Sequence, residues 1–193
     1  MSVHPDAFVH NTAVVDEGAT IGEQTKVWHF AHVCGGATVG PRCVLGQNVF
    51  LAPGVKLGAG VKIQNNVSVY KGVVVEDDAF LGPSCVFTNV NHPRAHVERK
   101  TEFLPTRVGK GASVGANATI VCGNQLGDYC FVGAGAVVTH NVEAHSLVYG
   151  TPARHRGWVC RCGEILPSTG LCQRCGDTYK LGESCQLLKE GQS

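Results

Sequence analysis

Amide and imidazole side chains are concentrated in one polar segment, TNVNHPRAHVERKTEFLPTR, residues 88–107. The segment contains Asn89, Asn91, His92 and His96 beside a proline. A carboxamide can orient a nucleophile through hydrogen bonds, and an imidazole can accept a proton near neutral pH. Long loops that leave a rigid scaffold often carry function. We therefore predict a reactive site here, with a merely solvated loop as the alternative.

A second chemical signal is a group of four cysteines near the C-terminus, in CRCGEILPSTGLCQRCG. The second half, Cys172 and Cys175, has the CxxCG spacing of a zinc knuckle, whereas Cys160 and Cys162 are one residue closer than usual. We predict a structural zinc ribbon with four thiolate ligands and no open position for a substrate. Free thiols or an oxidised pair are the alternatives.

The elements that must position these groups follow from a repeat of six residues. An aliphatic residue recurs at every sixth position from Val9 without a change of phase, ending at Phe87, and after an interruption the period resumes over residues 108–138. Four residues after each lies a small or slender side chain, and Cys43, Cys85 and Cys130 fall in this inward column. The residue before it is often glycine, asparagine or aspartate, which tolerate positive φ.

Three such sides close a triangular coil of 18 residues, and stacked coils lie roughly 4.8 Å apart. An α-helix would need a period of 3.6 and would not survive 25 glycines. The sequence therefore predicts an all-β parallel β-helix over residues 1–150, with 88–107 as an inserted loop and 151–193 as a Cys-rich C-terminal extension.

Residues 18 apart in such a coil lie above one another, which places Asn89 one coil above Lys71. We expect Asn89 to hold a substrate amine and Lys71 to face an anionic group. An asparagine ladder and a solvent-facing lysine are the alternatives. His29 and His32 flank a corner with Trp28, and we keep both as reserve candidates for proton transfer or substrate contact, although packed or interface histidines are the favoured interpretation.

Composition excludes several other classes of function. The net charge of +1 provides no basic field for nucleic acid. No run of about 18 apolar residues predicts membrane insertion, and the N-terminus lacks an export signal. We expect a cytoplasmic protein, so most of the ten cysteines should be thiols or metal ligands.

Repeats such as IGEQTK, LGQNVF, LAPGVK and VGAGAV resemble those of the hexapeptide-repeat acyltransferase family. This resemblance implies a left-handed coil, a homotrimer and active sites between neighbouring subunits. The runs KIQNNVSVYKGV, FTNVNHPRAH and VYGTPARHRGWVCRCG are similar to bacterial UDP-2-acetamido-3-amino-2,3-dideoxyglucuronate N-acetyltransferases of surface-polysaccharide (O-antigen) synthesis.

The closer resemblance implies acetyl transfer from acetyl-CoA to the 3-amino group of a UDP-linked sugar, with Asn89 contacting that amine. Arg94, in the same motif, suits the uronate carboxylate or the diphosphate, and we count Asn91 among the substrate contacts. The resemblance also implies a CoA site along the later coils and the end of the repeat, although the last segment can equally cap the coil. The residues are Gly115, Gly133, Ala134, Thr151, Pro152 and Arg154.

A sugar amine has a useful neutral fraction near pH 7, so we expect direct attack with Asn89 orienting the amine and the CoA sulfur finally taking the proton. The rival hypothesis uses His92 or His29 as general base. Three other functions stay open: an acetyltransferase for another nucleotide-linked amino sugar, a metal-dependent enzyme like carbonic anhydrase, and a non-enzymatic binding module.

Overall fold

A computed structural model describes residues 2–191, which contain 25 short strands and no helix. In chain order the strands are β1 (Ser2–Val3), β2 (Phe8–Val9), β3 (Val14–Val15), β4 (Thr20–Ile21), β5 (Lys26–Val27), β6 (His32–Val33), β7 (Thr38–Val39), β8 (Val44–Leu45), β9 (Phe50–Leu51), β10 (Lys56–Leu57), β11 (Lys62–Ile63), β12 (Ser68–Val69), β13 (Val73–Val75), β14 (Phe80–Leu81), β15 (Val86–Phe87), β16 (Thr106–Val108), β17 (Ser113–Val114), β18 (Thr119–Ile120), β19 (Gln125–Leu126), β20 (Phe131–Val132), β21 (Val137–Val138), β22 (Ser146–Tyr149), β23 (Arg154–Trp158), β24 (Thr178–Leu181) and β25 (Cys185–Lys189).

The strands form three parallel sheets that are the faces of a left-handed β-helix of seven coils. Face A has the order β1-β4-β7-β10-β13-β16-β19, face B runs β2-β5-β8-β11-β14-β17-β20, and face C runs β3-β6-β9-β12-β15-β18-β21. Ser2 pairs with Thr20, 18 residues later. Across the insertion Val74 pairs with Arg107, 33 residues later, so the insertion adds 15 residues to one coil. The predicted fold is confirmed.

The interior of the coils is filled by the two columns that the repeat predicts. The aliphatic residue of each strand from β4 to β21 is buried, and the small column after it is buried in nearly every coil. A buried aliphatic side chain of this size contributes roughly 1.5–3 kcal/mol relative to leaving it in water. Thr25 is the polar member of the small column, and its hydroxyl donates to the Gly40 carbonyl at 2.8 Å.

From residue 18 to residue 135, each corner outside the inserted loop has one position with positive φ, including positions where the residue type does not favour it. Glycine, asparagine and aspartate fill many of these positions, as predicted. Phe30 at φ 56°, Arg42 at φ 57° and Tyr129 at φ 55° adopt the same conformation. The ladder of backbone hydrogen bonds therefore imposes the corner geometry on whichever residue the register brings there.

The C-terminal part extends the coil and then leaves it. Strand β22 adds in parallel to β20 on face B, and β23 pairs antiparallel with β22. A second, smaller core follows, formed by Cys160, Leu166, Cys172, Tyr179 and Cys185 beside the β24–β25 hairpin. Over the range 2–191 there is no helix long and apolar enough to cross a membrane.

Candidate functional site

The inserted loop leaves the coil at the corner between face C and face A, here called the C–A corner. Asn89 follows β15, and its carbonyl accepts a hydrogen bond of 3.0 Å from the backbone N–H of Leu104. The N–H of Thr106 then donates to the Gly72 carbonyl at 3.1 Å, which returns the chain to the coil. Asn89 therefore lies at the neck of the loop, where the scaffold holds it although the loop itself is exposed.

Lys71 lies on the same corner, one coil earlier. Ser68 pairs with Val86, and Lys71 and Asn89 each follow three residues later. Lys71 is exposed and Asn89 is half-buried, so both face the outside of the C–A corner. The structure therefore brings together the pair that the 18-residue register predicts.

The remaining loop candidates are exposed beyond this neck. Asn91, His92 and Arg94 are all accessible to solvent, and the Arg94 guanidinium donates only to the carbonyl of the preceding Pro93, at 2.9 Å. An open pocket of about 270 Å³ lies between Asn91, His92 and the returning segment of the loop, residues 101–104. This side of the loop is open to solvent.

Sequence reasoning missed Cys122, which contacts the loop from the next coil. Phe87 pairs with Ile120, so Cys122 is stacked over Asn89. The Cys122 N–H donates to Thr88 Oγ1 at 2.9 Å, and its thiol donates to Asn91 Oδ1 at 3.3 Å. The signal that would have found it is the 33-residue register across the insertion, which requires the length of the insertion to be known.

The histidines of the early coils lie elsewhere within the same chain. His29 is on the corner between face B and face C, the B–C corner, in the second coil, where its ring stacks on His10 at 3.6 Å. His32 Nε2 lies 3.2 Å from the Asp16 carboxylate and 3.8 Å from Cys34 Sγ. Three coils separate both histidines from Asn89, at roughly 4.8 Å per coil. A single chain does not bring them to the loop neck.

Three of the residues predicted to contact CoA, Gly115, Gly133 and Ala134, lie on the opposite edge of face C from Asn89. Gly115 and Ala134 are on the B–C corner in the sixth and seventh coils. A Cβ on Gly115 would overlap the backbone nitrogen of Ala134, so glycine is also required for close stacking of the coils. A Cβ added to Gly133 would lie only 2.8 Å from the Cβ of Tyr149, so this glycine is closely packed as well.

The segment after β22 folds back against the last strand of face C. Thr151 and Pro152 are exposed, and the N–H of Ala153 donates to the Val137 carbonyl at 2.8 Å. Arg154 is exposed, with its guanidinium 3.0 Å from the carbonyl of Ala153. The segment therefore packs over the last strand of face C and leaves the Arg154 side chain exposed there.

The four predicted metal ligands converge. Cys160 Sγ lies 3.4 Å from Cys175 Sγ, Cys162 Sγ lies 3.6 Å from Cys172 Sγ, and all four sulfurs are within 4.8 Å of one another. In a tetrahedral site with Zn–S bonds of about 2.3 Å, the sulfurs are about 3.8 Å apart. The short CxC half does not prevent convergence, because the Gly163 N–H closes a turn onto the Cys160 carbonyl at 2.9 Å.

The environment of these thiols favours at least one thiolate. Burial opposes ionisation of Cys172, but hydrogen bonds from the backbone N–H groups of Cys175 and Arg174 outweigh it and lower the pKa of Cys172 to about 7. Burial raises the pKa of Cys160. A divalent cation would offset that second cost, because it stabilises every thiolate that binds it.

Comparison with known proteins identifies the repeat. Residues 18–53 match the family described as bacterial transferase hexapeptide (six repeats), and residues 36–71 and 105–140 match the hexapeptide repeat of succinyl-transferase. Over 179 residues the chain is 42% identical to the dTDP-3-amino-3,6-dideoxy-alpha-D-galactopyranose 3-N-acetyltransferase of Aneurinibacillus thermoaerophilus, covering 91% of this chain and 92% of that protein.

Solved structures share the fold at lower identity. A hexapeptide transferase family protein from Anaplasma phagocytophilum has a TM-score of 0.54 at 18% identity, covering 80% of each chain. PerB from Caulobacter crescentus, solved with CoA and GDP-perosamine, has a TM-score of 0.50 at 20% identity, covering 78% of this chain and 57% of PerB. Together with the extended match to the Aneurinibacillus enzyme, these findings show that the chain is an enzyme of the hexapeptide-repeat acyltransferase family.

Proposed function

We propose that the protein transfers an acetyl group from acetyl-CoA to the 3-amino group of a nucleotide-linked sugar. The observation that carries this proposal is the placement of Asn89 at the rigid neck of the only long insertion within residues 2–191. The Aneurinibacillus relative supports it, because its name specifies a 3-N-acetyltransferase acting on a dTDP-linked 3-amino sugar.

Two acceptors are candidates within this class. The motifs around Asn89 and Arg94 favour UDP-linked 2-acetamido-3-amino-2,3-dideoxyglucuronic acid, whose carboxylate and diphosphate suit a guanidinium. The name of the relative favours a dTDP-linked 3-amino-3,6-dideoxy sugar. Both place an amine near Asn89 and an anionic diphosphate near Lys71 or Arg94.

The chemistry needs little beyond positioning. The neutral amine, oriented by the Asn89 carboxamide, attacks the thioester carbonyl and forms a new C–N bond. The C–S bond then breaks, and the CoA sulfur takes the proton that the nitrogen releases. Correct placement of two reactants supplies much of the rate enhancement in such a reaction.

We further propose a homotrimer in which each active site forms between two chains. The outward residues within the strands of face C comprise no lysine, arginine, aspartate or glutamate, and Asp16, which directly follows β3, contacts His32, whereas faces A and B carry lysines or arginine. The candidate acceptor residues lie on one edge of face C, and the candidate CoA residues Gly115, Gly133 and Ala134 lie on the other. Packing of neighbouring copies beside face C would bring the two edges together.

The Cys-rich extension is proposed to hold one structural zinc ion. Cys160, Cys162, Cys172 and Cys175 would supply four thiolates, and the separations of their sulfurs fit a tetrahedral site. Zinc bound this way would crosslink the two turns of the extension. No step of acetyl transfer passes through it.

A CoA-release assay tests the function. Purified protein and acetyl-CoA are incubated with UDP- and dTDP-linked 3-amino sugars, with the matching 3-hydroxy sugars as controls and acetylated product measured by mass spectrometry. We expect acetylation of a 3-amino sugar only. Absence of an acetylated product from every amino sugar would reject the proposal.

Single variants at the loop test which residue acts on the amine. We expect Asn89→Ala to reduce kcat by about 10²-fold, since removal of a group that orients the transition state has effects of this order. His92→Ala and His29→Ala should reduce kcat much less. A large loss of kcat confined to a histidine variant would instead favour a general-base mechanism.

A further inference from the structure

We propose that Cys122 is a positioning residue of the acceptor site, which fixes the orientation of the Asn91 carboxamide. The role of Cys122 in catalysis rests on the proposed function, whereas its contacts with the loop do not depend on that function. Cys122 lies on the C–A corner at the end of the sixth coil, directly over the neck of the inserted loop. It belongs to the rigid coil, whereas Asn91 belongs to the exposed loop.

Two contacts join Cys122 to the loop on either side of Asn89. Its backbone N–H donates to Thr88 Oγ1 at 2.9 Å, one residue before Asn89. Its thiol donates to Asn91 Oδ1 at 3.3 Å, two residues after Asn89. The candidate catalytic residue therefore lies between two points at which one residue of the scaffold holds the chain.

The chemistry of the thiol determines which way the Asn91 amide faces. Cys122 is 3% exposed, so its S–H group has few partners other than the Asn91 oxygen. As a donor the thiol pairs with Oδ1, the atom that lies 3.3 Å from the sulfur, whereas the NH₂ group could use the sulfur only as a weak acceptor. With Oδ1 turned inward to the sulfur, the two N–H donors of Asn91 face the exposed side of the loop.

That exposed side is where an anionic acceptor is proposed to bind. Lys71 and Arg94 are exposed around the same corner and provide positive charge. Outward N–H donors on Asn91 complement a diphosphate or carboxylate, whereas an outward carbonyl oxygen would repel it. Cys122 thus acts through Asn91 and is not expected to contact the reacting atoms.

Four variants separate this role from simple core packing. Cys122→Ser keeps a donor, and Cys122→Ala removes it. Asn91→Asp keeps an acceptor for the thiol but removes the outward N–H donors, and Asn91→Ala removes both. Cys43→Ala is the matched control, because Cys43 is a buried cysteine in a distant coil whose thiol donates to backbone carbonyls.

The first readout does not depend on activity. Amide hydrogen exchange over residues 88–107 should accelerate about three- to tenfold in Cys122→Ala, as expected for loss of one hydrogen bond, and should stay near wild type in Cys122→Ser, Asn91→Asp and Cys43→Ala. Equal exchange in Cys122→Ala and Cys122→Ser would overturn the proposal, whether or not the protein acetylates any sugar.

The second readout is the kinetics of the acceptor. We expect the KM for the nucleotide sugar to rise about three- to tenfold in Cys122→Ala, with the KM for acetyl-CoA unchanged, and to rise more in Asn91→Asp. Combining Cys122→Ala with Asn91→Ala should cost no more than Asn91→Ala alone, because both remove the same interaction. Additive effects of the two substitutions on KM would contradict the proposed role of Cys122. A wild-type protein without activity would reject the proposed function and leave the exchange test of Cys122 intact.

Discussion

His145 connects the end of the coil to the Cys-rich extension. Its ring stacks on Tyr129 of the last coil at 5.3 Å and meets Tyr179 of the extension edge-on at 5.2 Å. Its Nδ1 lies 2.9 Å from the Val159 carbonyl, to which it can donate. Burial lowers the pKa of His145 from its ordinary value of 6.5, although the Val159 carbonyl, Asp128 and Asp177 act in the opposite direction.

This pKa shift predicts a pH dependence of stability. Above pH 6.5 His145 is neutral in both the folded and unfolded chain, and its contribution to stability is fully present. As the pH falls below 6.5, the unfolded chain binds a proton that the folded chain binds less readily, so the free energy of unfolding decreases until the folded pKa is passed. The melting temperature should therefore fall between pH 7.5 and pH 6.

His145→Asn is the matched variant, because asparagine tolerates the φ of 60° at this position and does not titrate. We expect a smaller fall in melting temperature between the same two pH values than in wild type. Identical pH dependence in the two proteins would show that other groups cause it.

The residues of the site were predictable to the extent that the repeat fixes their register. Lys71 and Asn89 lie 18 positions apart in an unbroken stretch, so their stacking follows from counting. Cys122 lies beyond the insertion, and counting fails until the number of extra residues is known. The Asn91 contact also depends on the fold of the loop, which no period describes.

Among the elements, the strands were predictable and several corners were not. The six-residue period predicts the inward column because burial rewards an aliphatic residue at each side of the coil. Phe30 and Tyr129 also adopt positive φ, although phenylalanine and tyrosine are not residue types that predict such a corner. Tyr129 is covered by His145, whereas Phe30 is 60% exposed, which marks the B–C corner of the second coil as a surface that the single chain does not cover.

The Cys-rich extension supports a prediction about metal removal. Its core is small, with only a few buried residues around the four thiols, so a zinc ion should contribute much of its stability. We expect about one zinc per chain by elemental analysis of wild type, and loss of that zinc in Cys175→Ser. The coil should remain folded, since its core is separate, and far-UV circular dichroism should change little.

Cys185→Ala is the control for this experiment, because Cys185 is buried in the same small core but lies outside the four-sulfur cluster. It should retain zinc. Wild-type protein purified without chelators and free of zinc would contradict the prediction, as would equal zinc content in Cys175→Ser.

Across the whole molecule, the three faces differ in charge. Val86 on face C is 46% exposed between Ser68 and Thr119, with no charged neighbour on its ladder. Val74 on face A is 39% exposed between Lys56 and Arg107. The two valines therefore have similar exposure, but only Val74 has charged neighbours on its ladder.

This contrast tests whether face C packs against other copies of the chain. A glutamate at position 86 would be buried unpaired at a subunit interface, which is costly, whereas a glutamate at position 74 would stay in solvent beside Lys56 and beside Arg107, which already pairs with Glu76. We expect Val86→Glu to shift the mass measured by light scattering from trimer to monomer, and Val74→Glu to remain trimeric. Acetyl transfer should be lost together with the trimer, because the CoA residues of one chain would no longer lie beside the acceptor residues of its neighbour. Trimeric Val86→Glu, or an active monomer, would show that face C does not form the interface.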